Sequence, residues 1–143
     1  MVQARITDNE ISRSDWNIQR TWLLRHYDWQ VPDSALVWLP GVVTGFNLAA
    51  RATAVPGGQV VIPTPVYYPF LSVPGNADQT GIQVPLVRDG RRWVMDFDAL
   101  EAAITPASRI VLLSNPQTPT GRAYTEPELT ALAELCRTQE VML

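Results

Sequence analysis

Val-Leu-Leu-Ser-Asn-Pro-Gln-Thr-Pro-Thr-Gly-Arg, residues Val111 to Arg122, sets a short buried strand against a stiff polar loop. Arg109 to Ser114 is an apolar run with β-branched Ile110 and Val111, too short for a helix and suited to a parallel strand ending at Ser114. Pro116 and Pro119 then oppose both helix and ladder pairing, while Gly121 permits a turn that other residues resist. The loop so formed lies at a strand's carboxyl end, where open α/β sheets place their ligands. Asn115, Gln117, Thr118 and Thr120 are thereby sited to meet a small polar molecule. Taken alone, such a loop is more often a plain connection. Downstream, Thr125 and Glu128 have capping-box spacing, Glu126 and Pro127 occupy the first turn, and a helix runs to about Thr138.

Outward from this core the same alternation repeats. A helix from Ser14, capped by Ser12 or Ser14, carries Trp16, Ile18, Trp22, Leu23 and Tyr27 on an irregular apolar face, with Trp29 and Pro32 beyond its end. The tryptophans read as core packing and His26 as a surface residue in the helix's C-terminal dipole. Ala35 to Leu39 is a short apolar strand broken by Pro40 and Gly41, and Val42 to Ala54 is a helix. Gln59 to Ile62 is a strand stopped by Pro63 and Pro65, and Gly81 to Leu86 is another. Val87 to Arg92 is a polar turn, Trp93 to Met95 a short return, and Asp96 caps a helix over Phe97 to Ile104. Asp96, Asp98 and Glu101 together read as cap and dipole partners, not as a catalytic carboxylate pair. Cys136 sits on an apolar helix face with Leu129, Leu132 and Ala133, and Glu140 to Leu143 opens a fresh strand. The fold class is therefore α/β, three-layer, with a mainly parallel sheet and helices on both faces.

Composition excludes several function classes. Of the 143 residues 46% are apolar and the net charge is −3, so a sizeable core is available and nothing draws the chain to nucleic acid or to a membrane surface. No segment reads as a membrane span or signal peptide, and the expected location is cytoplasmic. One cysteine and one histidine make no metal cluster. The eleven basic residues are all arginine, so no side-chain amine is available for a Schiff base.

Two further segments lie at strand ends. Pro40-Gly41-Val42-Val43-Thr44-Gly45 places a helix N-terminus directly after a glycine, either a phosphate cradle or an ordinary strand-to-helix turn. Pro65-Val66-Tyr67-Tyr68-Pro69-Phe70 holds Tyr67 or Tyr68 either against a planar ligand or in a hydrophobic plug.

The order WLPGVVTGFNLAARA (38–52), VVIPTPVYYPF (60–70), MDFDALEAAI (95–104) and IVLLSNPQTPTGRAYTEPEL (110–129) resembles the pyridoxal-phosphate-dependent aminotransferases of fold type I, in particular the MalY/PatB branch of cystathionine β-lyase-like C–S lyases. The resemblance implies pyridoxal 5'-phosphate as cofactor. Its phosphate would lie against Val42 and Val43 after Gly41, with Thr44; Tyr67 would stack on its ring. Thr118 stands where the family's Asn-Pro-Thr-Gly motif has an asparagine facing the ring hydroxyl. The implied reaction is β-elimination from a sulfur amino acid to thiol, pyruvate and ammonia; aminotransfer and a non-catalytic binding role are the alternatives. The resemblance further implies that residues 1–143 are part of the cofactor-binding large domain, without the N-terminal arm and everything after the strand at 141–143. Intact relatives are expected to be homodimers, and the chain by itself, without lysine, is expected not to turn over.

Overall fold

The computed structural model describes residues 13–143, which fall into two compact units divided between Leu39 and Pro40. The polar stretch before residue 13 and the proposed Ser12 cap lie outside the described residues.

The first unit contains helix α1 (Arg13–Tyr27) and a single 3-10 turn over Asp33–Ala35. Ser14 lies within α1 and so is not its cap. Arg20 Nε donates to the Val31 carbonyl at 2.9 Å, drawing the chain back along the helix, and Trp16 meets Trp38 edge to face at 5.9 Å. Core packing does not describe the other tryptophans: Trp22 and Trp29 are exposed, and Trp22 stacks on His26 at 4.6 Å on the helix surface. One helix and one turn supply too little apolar surface to cover so irregular a face. His26 is a surface residue in the last turn, as expected, with Nδ1 2.8 Å from the Trp22 carbonyl oxygen. The strand expected over Ala35 to Leu39 is absent. Ala35 closes the 3-10 turn and Leu36 to Leu39 pair with no described strand, so Val37 stands 75% exposed. Apolar character does not make a strand where no ladder partner is offered.

The second unit begins with α2 (Val42–Ala52), which leads through the Pro56–Gly57 turn into β1 (Gln59–Thr64). After β1 come a 3-10 segment (Tyr68–Ser72), the short α3 (Val73–Asn76), for which the sequence carried no signal that we read, and β2 (Thr80–Pro85). A hairpin follows, β3 (Val87–Asp89) and β4 (Arg92–Val94), where only a turn and a return were expected; Gly90, at φ 57°, makes its bend. Then come α4 (Phe97–Ala103), β5 (Ser108–Val111) and α5 (Glu126–Thr138). The sheet is parallel in the order β2-β1-β5, and Met142 pairs in parallel with Ile110 on the far side of β5, in agreement with a strand opening at 140–143.

Proline 63 does not stop β1, which runs on to Thr64 with Pro63 opposite Val84. The Val61 carbonyl accepts from Leu112 on the β5 side and the Thr64 carbonyl accepts from Leu86 on the β2 side. By alternation the missing Pro63 N–H faces β5 beyond the last paired residue, where no ladder bond is lost.

Alternation along β1 and β5 builds two cores. Val60, Ile62, Ile110 and Leu112 pack with Ala50 of α2 and Val73 and Ala77 around α3. On the opposite face Val61 and Val111 pack with Leu100 of α4 and Leu132 and Cys136 of α5. The expected three layers are thus present. Cys136 is buried as a packing residue, and burial pushes its thiol up from the ordinary range, whereas Ala133 is exposed and not part of the apolar face. Asp96 caps α4 by accepting from the Ala99 N–H at 3.0 Å. No described helix is long and apolar enough to cross a membrane.

Candidate functional site

Helix α2 precedes β1 and returns antiparallel to it, so the helix N-terminus lies over the strand's carboxyl end. Phe46, one turn into α2, meets Phe70, just past β1, at 4.6 Å between ring centroids. The β1 and β5 ends adjoin because the strands pair in parallel. Three segments therefore share one edge of the sheet: the start of α2, the Pro65–Phe70 segment and the 114–121 loop.

At the start of α2, Gly41 takes φ 145° and ψ 157°, a region open to glycine, and no side chain caps the helix. A Cβ placed on Gly41 would meet nothing within 4 Å, so the approach is open. The N–H groups of the first turn have no intrahelical partner, and that turn contains no acidic residue. Val43 and Thr44 line an open hollow of about 360 Å³ with Asn47, Arg51 and Asn76; Tyr67 and Thr118 are not among its lining residues. An anionic group of phosphate size suits this helix start by charge and by access.

Tyr67 is 39% exposed and holds Tyr68 edge to face at 5.2 Å. Its carbonyl accepts from Phe70 N at 3.0 Å, which fixes the backbone beneath the ring. Tyr68 projects further into solvent.

The 114–121 loop departs from expectation. Of its four polar residues proposed to face a ligand, three are engaged in holding the loop. Asn115 Oδ1 accepts from Tyr124 N at 3.1 Å. Gln117 is buried, donating Nε2 to the Pro65 carbonyl at 2.6 Å, while its Oε1 accepts from Thr120 N and Oγ1 at 3.4 and 3.3 Å. A loop without ladder partners must satisfy its polar groups from its own side chains. Only Thr118 remains exposed and without a hydrogen bond among the described residues.

Behind the loop, Arg122 makes a bidentate pair with Glu128, at 3.0 and 2.5 Å, and donates to the Trp93 carbonyl at 2.7 Å. Glu128 also accepts from the Thr125 N–H and hydroxyl at 2.7 and 2.8 Å, completing the expected capping box. Burial alone would push the Glu128 carboxyl up; the Thr125 N–H, the Arg122 guanidinium and the Thr125 hydroxyl together hold it below the usual range. Neither this brace nor the clamp made by Gln117 was read from the sequence. Of the two, only the capping-box spacing gave a signal.

An α/β unit with an anion-ready helix start, an adjoining aromatic and a polar loop on one sheet edge defines a small-molecule cofactor-binding class of protein. The model of the family Aminotransferase class I and II matches residues 19–143, and the chain belongs to that family of enzymes. Cystathionine beta-lyase PatB of Bacillus subtilis is 33% identical over 116 residues, covering 80% of this chain and 30% of the relative. A probable N-succinyldiaminopimelate aminotransferase, DapC, of Mycobacterium tuberculosis is 33% identical over 104 residues, covering 73% of this chain and 26% of the relative. Cystalysin of Treponema denticola, whose crystal structure contains a pyridoxal 5'-phosphate cofactor, superposes with a TM-score of 0.83 at 26% identity over 90% of this chain and 33% of its own. The chain thus spans less than a third of the length of the curated relatives it matches, at 30% and 26%.

Proposed function

We propose that this chain is the cofactor-binding part of a pyridoxal-phosphate-dependent carbon–sulfur β-lyase that acts on a sulfur amino acid, with a homodimer as the working form. The observation that carries the reading is the convergence of the α2 start, Tyr67 and Thr118 on one sheet edge, in a family whose solved relative cystalysin contains this cofactor. When bound, pyridoxal phosphate supplies an electron sink for carbanion chemistry at the α-carbon of an amino acid.

The chain's own residues bind and orient. Backbone N–H groups of Val42 and Val43, freed by the Gly41 turn, would hold the phosphate with the Thr44 hydroxyl. Tyr67 would offer its ring face to the pyridine, and the Thr118 hydroxyl would donate to the ring hydroxyl. Threonine is shorter than the family's asparagine, so this bond would tune the ring differently from that of other members. With no lysine among the 143 residues, proton transfer by a side-chain amine is not part of what this chain supplies.

The equal identity to DapC favours a second reading, an aminotransferase. Products decide between them. The product assay belongs on an intact relative that carries this segment together with the lysine the chain lacks: incubated with cystathionine and pyridoxal phosphate it should release thiol, pyruvate and ammonia, while the present chain alone should release none. A keto acid together with the amino form of the cofactor would replace the lyase reading by the transferase.

The phosphate assignment has its own test in Val42→Pro. Position 42 opens the helix, where proline is well tolerated, and the ψ of 157° at Gly41 before it leaves room for the proline ring. The substitution removes one N–H and leaves the helix. Pyridoxal phosphate affinity should fall about tenfold, the value of one charge-assisted hydrogen bond, with the melting temperature of the ligand-free protein unchanged. Unchanged affinity, by absorbance titration, would place the phosphate elsewhere.

A further inference from the structure

The two loops that carry Tyr67 and Thr118 are 51 residues apart in sequence and are joined by one side chain. Gln117 is 3% exposed, and each of its polar groups is engaged. Its Nε2 donates to the carbonyl of Pro65, two residues before Tyr67, at 2.6 Å. Its Oε1 accepts from both the N–H and the hydroxyl of Thr120, two residues after Thr118. Its backbone N–H donates to the Arg122 carbonyl at 2.6 Å and its carbonyl accepts from Gly121 at 2.9 Å, so the residue is itself fixed. The ladder between β1 and β5 has ended before this level, with Leu112 N to the Val61 carbonyl as its last bond described. Beyond that point the β1 and β5 ends are held by the Gln117 amide.

We infer that Gln117 is a positioning residue that sets the distance between the Tyr67 ring and the Thr118 hydroxyl, and with it the width of the slot into which a pyridine-sized ring fits. The inference rests on the functional reading given above. The primary amide has the right chemistry for the task, since it donates to one loop and accepts from the other at the same time. A carboxylate would set an oxygen against the Pro65 carbonyl, and an apolar side chain would leave Pro65 O and Thr120 N without their partner.

The test compares the purified protein with Gln117→Met, which keeps the length and burial, and Gln117→Glu, which keeps the acceptor toward Thr120 but loses the donor toward Pro65. Hydrogen exchange without ligand should accelerate at the Gly121 and Phe70 amides in both variants, with the Leu112 amide unaltered. Pyridoxal phosphate affinity, from absorbance titration, should weaken about tenfold in Gln117→Met and more in Gln117→Glu, as expected when a binding group is displaced by a fraction of an ångström. Affinity unchanged in both variants, with the unsubstituted protein binding normally, would overturn the inference and leave the cofactor reading intact. No binding by the unsubstituted protein would overturn the cofactor reading and the slot together. Acceleration extending to Leu112 in both variants would assign Gln117 a general structural role and likewise overturn the inference.

Discussion

Leu132→Ala should lower the stability of the folded chain by about 3 kcal/mol, within the range that buried leucine truncations show. Leu132 is fully buried at 0% exposure on the inner face of α5, among Val61, Leu100, Val111 and Cys136. Its truncation removes apolar area from the core and leaves a cavity between helix and sheet that the parallel strands, paired on both sides of β1, cannot close by moving. Urea denaturation followed by circular dichroism measures the effect as a fall in midpoint at constant slope. The neighbouring Ala133→Ser, on the exposed side of the same helix, should change stability by no more than about 0.5 kcal/mol. Similar losses at the two positions would mean that α5 packs in a different rotation.

Arg122→Leu should cost about 2–3 kcal/mol at neutral pH, on the low side of breaking a buried ion pair because both partners keep some contact with water. Their side chains are 13% and 19% exposed. The loss has four parts: the bidentate bond to Glu128, the bond to the Trp93 carbonyl that ties the hairpin to the loop, the Nε bond to the Ala123 carbonyl at 3.2 Å, and the stacking over Tyr124 at 4.8 Å. The pH dependence separates the first from the others. The Glu128 carboxyl is held below its ordinary value in the folded chain, so its contribution is fully present above the unfolded pKa and is lost as pH falls through the folded one. The gap between the native protein and Arg122→Leu should therefore narrow through the acid range, leaving the part due to Trp93, Ala123 and Tyr124. A gap constant from neutral pH into that range would show that the ion pair contributes nothing measurable.

Arg122 and Gln117 both act on the 114–121 loop. The brace made by Arg122 and Glu128 holds the exit of the 114–121 loop against α5, and Gln117 holds its middle against the β1 end. The loop has little regular structure, yet it is fixed at several points, as the proposed presentation of the Thr118 hydroxyl to a ring requires.

Much of this arrangement was legible in local chemistry. The Asp96 cap and the Thr125–Glu128 capping box are decided within a few residues and stand as read; the β-branched run at Ile110 and Val111 is a strand, but it ends at Val111, three residues short of the expected Ser114. The alternation of strands and helices likewise determined the three-layer class. Other features were decided only by tertiary partners. Leu36 to Leu39 has the composition of a strand and forms none, because no strand among the described residues pairs with it. Pro63 reads as a stop, and the strand passes through it because its missing N–H faces the side where pairing has already ended. Gln117 reads as one more polar loop residue; that its amide spans to Pro65 depends on β1 and β5 lying side by side, a fact carried by no neighbouring residue. The sequence by itself determined the caps of α4 and α5 and the tight turns, since those choices are settled by hydrogen bonds reaching three or four residues, whereas a strand also needs a partner distant in sequence. Which polar groups of the 114–121 loop stay exposed and which are consumed in holding it was decided by the tertiary structure, because a side chain's partner across the sheet is set by strand order and register.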